Sequence, residues 1–126
     1  MNKILILSFC NYEYIKLAQV WINELKKLNI SNYIIIAADK KTHDYLKQKN
    51  INTKLKIYNK IESFWEYRIK IINEYIEDDI CEYIIHSDLD AIWKKNICND
   101  ILNDNNNDLF FSQGTVFPKE HLNNVH

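Results

Sequence analysis

Short apolar runs alternate with longer stretches in which apolar and polar residues are mixed. The runs at Lys3–Phe9, Tyr33–Ala38, Lys54–Tyr58, Tyr83–Ser87 and Leu109–Ser112 predict five strands. Most are continuous rather than alternating, the pattern of strands covered on both faces. Between the first two, Ala18, Trp21, Ile22, Leu25 and Leu28 recur at i, i+3, i+4 spacing and predict a helix. Asp39 is placed to cap a second, shorter helix through Asn50. A third helix starts at Ser63, with Glu66 as its capping-box partner. Trp65, Ile69, Ile72 and Ile76 would form its core-facing stripe. Strands alternating with helices predict an α/β fold: a Rossmann-like, mostly parallel sheet with flanking helices.

The fourth run ends abruptly in His86-Ser87-Asp88-Leu89-Asp90-Ala91-Ile92-Trp93. In extended backbone, residues i and i+2 project to one side, so Asp88 and Asp90 could aim two carboxylates at one point. Open α/β sheets bind ligands outside the carboxyl ends of their strands. Two carboxylates there are hard oxygen donors suited to Mg²⁺ or Mn²⁺, which in turn grip a diphosphate. The plainer alternative is that both acids end the strand and cap its turn. Arg68 falls beside the stripe of the third helix and needs an anionic partner, with Asp88, Asp90 or a bound diphosphate as candidates. It could equally snorkel to a local carboxylate. Lys70 reads as solvated. His86 shares the parity of Asp88 but lies one step deeper, which favours a hydrogen-bonded core histidine over a metal ligand. Trp93 reads as packing, and Tyr67 is open between core and site.

Composition narrows these options. With 126 residues the chain is one domain, long enough for a core. A formal net charge of -1 and lysines scattered among acids argue against a nucleic-acid partner. Three widely spaced cysteines, Cys10, Cys81 and Cys98, form neither pairs nor a zinc cluster, so reduced thiols are expected. No apolar run approaches a membrane span, and the first run is too short for a signal sequence, which predicts a cytoplasmic protein. With Gly114 as the one glycine, a phosphate-cradling glycine loop is excluded. Turns must instead rely on Asn and Asp, as in the run Asn103–Asp108. An EF-hand is excluded as well, because Ile92 and Trp93 stand where a third ligand and a glycine belong.

Three blocks in order resemble the nucleotide-diphospho-sugar transferase family: Ser63-Phe64-Trp65-Glu66-Tyr67-Arg68, then His86–Trp93, then Asp108-Leu109-Phe110-Phe111-Ser112-Gln113-Gly114-Thr115-Val116-Phe117-Pro118. The amino-terminal order of a strand, Asn11, a helix and Ile34–Asp39 is similar too. This resemblance implies a glycosyltransferase of the A-type fold using a nucleoside-diphosphate sugar, a UDP-sugar foremost, and a divalent cation (Mn²⁺ or Mg²⁺). By the same analogy Asp88 and Asp90 form the metal-diphosphate pair, with Asp90 favoured as the direct ligand, and Arg68 contacts the donor. Ser8, Cys10, Asn11 and Asp39 would line the base and ribose pocket, and Ser112, Gln113 and Gly114 would border the donor sugar. Family members continue about as long again beyond the position of Pro118. Residues 1–126 would then be a donor-binding domain without the part that holds the acceptor, a glycan or a protein. A sheet made for more strands exposes apolar surface, so a homodimer or self-association is expected.

Two other readings compete. Phosphatases of the haloacid dehalogenase type also place Asp-x-Asp after an apolar strand, which would make Asp88 a nucleophile and Asp90 a general acid. Their motif sits near the amino terminus and continues with Gly-Thr or a similar hydroxyl residue, whereas Ala91-Ile92 follows here. The third reading is a non-catalytic fragment that binds a nucleotide sugar without turnover.

Overall fold

The computed structural model describes residues 4–104. Four strands, β1 (Ile4–Cys10), β2 (Tyr33–Ala37), β3 (Thr53–Leu55) and β4 (Tyr83–His86), form one parallel sheet in the order β3-β2-β1-β4. A 3₁₀ turn at Tyr12–Tyr14 leads from β1 into helix α1 (Ile15–Lys27). Helices α2 (Lys40–Gln48) and α3 (Phe64–Glu77) make the next two crossovers, and α4 (Cys98–Asn103) follows β4. This is a Rossmann-like α/β fold. The expected strand at Leu109–Ser112 lies outside the described residues.

Alternation along β1 divides the core in two. Ile4, Ile6 and Cys10 face a cluster with Ala18, Trp21, Ile22 and Leu25 of α1 and Leu46 of α2. Leu5, Leu7 and Phe9 face the other way, onto Tyr67, Ile71 and Tyr75 of α3. Helices α1 and α2 therefore cover one face of the sheet and α3 the other. All seven residues of β1 are buried, as a central strand requires. In contrast, β4 is half-buried, with β1 as its neighbour on one side.

The shortage of glycine is solved at the helix ends. Asn29, Asn50 and Asp79, each just past a helix, adopt positive φ (58°, 58° and 52°). After α1, the Ile30 N–H reaches the Leu25 carbonyl at 3.0 Å and the Asn29 N–H reaches Lys26 at 3.0 Å. The same pair closes α2, from Ile51 to Leu46 and from Asn50 to Lys47. These are Schellman ends with Asn in the usual glycine position, and buried Ile30 and Ile51 seal them before the next strand begins. At the start of the helices, Asp39 accepts from the Thr42 N–H at 2.7 Å and Ser63 from Glu66 at 3.1 Å, so both expected caps form.

Four expectations need correction. The stripe Trp65, Ile69, Ile76 of α3 is exposed, and Ile72 is only partly buried; the buried face is Tyr67, Ile71 and Tyr75. The helix carries two apolar stripes, and the one rich in aromatics is the one that meets the sheet. Its ring of Tyr67 packs edge-on to Phe9 at 5.9 Å, while the hydroxyl donates to the Lys56 carbonyl. Next, β3 is shorter and earlier than Lys54–Tyr58, although Lys56 and Tyr58 still donate to the Ala37 and Ala38 carbonyls. His86 is not a core residue: its side chain keeps 28% of its exposure at the end of β4. Finally, α4 was not expected; Asn96 Oδ1 accepts from the N–H of its first residue, Cys98, at 3.0 Å, but the helix is only 6 residues long.

Candidate functional site at the carboxyl ends of β1 and β4

The chain builds outward from β1 through β2 to β3, then crosses under the sheet by way of α3 and places β4 on the far side of β1. The order reverses between β1 and β4, which makes the crevice at their carboxyl ends the topological switch point. Asn11 follows β1 there, and Ser87-Asp88 follows β4, with Leu7 paired to His86 and the Ser87 N–H bonded to the Leu7 carbonyl at 2.9 Å.

Asp88 and Asp90 do not continue the strand, which ends at His86. The Ala91 N–H bonds back to the Asp88 carbonyl at 3.1 Å, so residues 88–91 form a turn. Leu89 is drawn into the core beside α1 and α4, and this leaves the flanking carboxylates exposed. Burial of Leu89, rather than strand parity, turns both acids toward solvent. Among the described residues no group of three or more His, Cys, Asp or Glu side chains could hold a metal ion.

From α3, Arg68 reaches into the crevice. Its Nη1 donates to Asp88 Oδ1 at 3.2 Å, and the guanidinium lies over the Trp65 ring (4.8 Å to the centroid) and near Phe64 (5.5 Å). The arginine is thus oriented by two rings and a carboxylate, while its Nε is buried with no hydrogen-bond partner. Such a donor is costly unless something accepts from it. His86 Nε2 approaches the same Asp88 oxygen at 3.8 Å, and its ring is edge-on to Phe9 at 5.7 Å. Burial lowers the His86 pKa, Arg68 lowers it further, and Asp88 opposes both. The imidazole is therefore held neutral at pH 7.

The other expected residues fall into three groups. Ser8 and Cys10 are enclosed in the core and have no surface to offer a ligand as they stand. Burial, reinforced by the Asp39 carboxylate, pushes the Cys10 thiol up to about 12. Asn11 is half-buried, and its Oδ1 is enclosed without a hydrogen-bond partner. Asp39 uses Oδ1 to cap α2, and its charge raises the pKa of Cys10 and, after burial, of Tyr67, so it lies close to both. Ser112, Gln113 and Gly114 lie outside the described residues. Sequence reasoning missed the part played by Trp65, which sits three residues before Arg68 and covers its guanidinium. The spacing was a usable signal, since i and i+3 side chains meet on a helix.

Comparisons with protein-family models, curated proteins and solved structures gave no match. Among the described residues no helix is long and apolar enough to cross a membrane.

Proposed function

We propose that the chain is the donor-binding domain of a glycosyltransferase that takes a nucleoside-diphosphate sugar, a UDP-sugar foremost, together with Mn²⁺ or Mg²⁺. The observation that carries this reading is the meeting of Arg68 and Asp88 at the switch point of a parallel sheet. A carboxylate and a guanidinium offer complementary handles for a metal-bound diphosphate. Two carboxylates with the substrate's phosphates would make up the donor set for such a cation. Asp88 and Asp90 supply hard oxygens, and Mg²⁺ is commonly held by one or two carboxylates plus substrate phosphates rather than by a protein cage. When bound, the cation would neutralise the charge that builds on the departing diphosphate.

The chain's own residues divide the remaining work. Asp88 and Asp90 would hold the cation, and Arg68 would bind and orient a phosphate oxygen. Trp65 and Phe64 keep the guanidinium in place. Asn11, which follows β1, would border the nucleoside side of the crevice. The anomeric carbon would part from the diphosphate oxygen and bond to the oxygen of an acceptor hydroxyl of a glycan or protein, whose proton passes to the released diphosphate. Calorimetry with UDP tests the reading: Mn²⁺ should tighten binding, and EDTA or Asp90→Ala should abolish the gain. Equal affinity under all three conditions would sink it.

A further inference from the structure

Ser87, directly before the acidic turn, is buried and makes more side-chain contacts than a strand end needs. Its Oγ accepts from Trp93 Nε1 at 3.0 Å and from Trp21 Nε1 of α1 at 3.3 Å. Its own hydroxyl donates to the Asp88 carbonyl at 3.3 Å, the same oxygen that accepts from the Ala91 N–H. Two lone pairs and one proton are thus all in use. The result is a closed loop. Trp93, past the turn, is tied back to Ser87, before it, and the peptide between them is bonded at the Asp88 carbonyl. Leu89 anchors the middle of the loop in the core, and Trp21 fastens the whole to α1. Only the two carboxylates of residues 88–90 project outward.

From this geometry we infer that Ser87 and Trp93 are positioning residues: a side-chain clasp that fixes the turn presenting Asp88 and Asp90 to a metal-bound diphosphate. The inference rests on the nucleotide-metal reading of the site. Two carboxylates on a free loop would lose conformational entropy on gripping a cation, and a clasped turn has lost it already. Neither Ser87 nor Trp93 touches the ligand. Groups that orient metal ligands from behind typically change metal affinity about 10- to 100-fold when removed.

Trp93→Phe is the cleanest test, because it keeps an aromatic ring in the packed site and deletes one N–H. The full 126-residue chain would be labelled on its tryptophan indoles, and hydrogen exchange of the three indole N–H groups followed by NMR. The Trp93 N–H should exchange far more slowly than that of the half-exposed Trp65. Calorimetry should then show metal-free UDP affinity unchanged in Trp93→Phe, with the gain from Mn²⁺ reduced about 10- to 100-fold. Ser87→Ala should reproduce that loss and Ser87→Thr, which keeps the hydroxyl, should restore it. An unprotected Trp93 indole, or an undiminished Mn²⁺ gain in Trp93→Phe, would overturn the clasp while leaving the site reading intact. Absence of any Mn²⁺ gain in the wild-type chain would overturn the reading itself, and the clasp with it.

Discussion

Replacing Arg68 by Gln should separate a ligand-binding arginine from a structural one. The substitution removes the charge and the fork that lies over Phe64 and Trp65 but keeps the apolar stem. Asp88 keeps 61% of its side-chain exposure, so the ion pair is screened by water and contributes only about 0.2–1 kcal/mol. Stacking of the guanidinium over Trp65 at 4.8 Å adds a further ~0.5–1 kcal/mol at a partly exposed site. Unfolding free energy should therefore fall by less than about 2 kcal/mol. Binding should suffer more. A charge-assisted hydrogen bond to a phosphate is worth ~1.5–3 kcal/mol, or roughly a 10- to 150-fold weaker Kd for UDP with Mn²⁺. Urea unfolding and calorimetry on the same preparation measure both terms. A stability loss above about 3 kcal/mol with unchanged UDP affinity would show that Arg68 is a pin between α3 and β4, and would refute the reasoning.

Three further outcomes follow from the same structure. With Cys10 and Cys98 buried and the Cys10 thiol pushed up to about 12, native protein at pH 8 should react with a thiol reagent first at Cys81, and full labelling should need denaturant. Rapid native labelling of Cys10, read by peptide mass, would contradict the packing of β1. Because the His86 pKa is lowered in the fold, its contribution to stability is complete above the unfolded value near 6.5 and is lost as pH falls through the folded value. His86→Gln should flatten the difference in urea midpoint between pH 7.5 and pH 5, and an unchanged difference would count against that environment. The exposed stripe of Trp65, Ile69 and Ile76 should promote self-association, so light scattering should show dimers or larger species that Ile69→Glu reduces; a monomer at all concentrations would count against it.

Much of the fold was legible because it is written in local chemistry. Asp39 and Ser63 announce their caps, and Asn29, Asn50 and Asp79 take the left-handed positions that a chain so poor in glycine must fill. The contact of Arg68 with Asp88 was legible too, since a half-buried arginine beside an acidic strand end needs an anion. The face of α3 was not. Trp65, Ile69, Ile72 and Ile76 have helical spacing, and so do Tyr67, Ile71 and Tyr75, and periodicity alone does not say which stripe meets the sheet. Choosing required knowing that the Tyr67 hydroxyl could reach the Lys56 carbonyl from within the core. The sequence left open whether Asp88 and Asp90 extend the strand or end it in a turn, because burial of Leu89, a tertiary effect, decides it. For the same reason the tie between Trp93, Ser87 and Trp21 has no sequence signature, as its members are 6 and 66 residues apart.

The central claim is that a metal-bound nucleotide sits at the carboxyl ends of β1 and β4. Paramagnetic broadening of amide NMR signals by Mn²⁺ with UDP tests it most directly. Signals from Asn11, Arg68 and residues 88–91 should disappear first. Asn32, Asn52 and Ile80, which lie at the amino ends of the strands, should stay sharp. Broadening centred on those amino-end residues, or none at all with UDP present, would contradict the assignment.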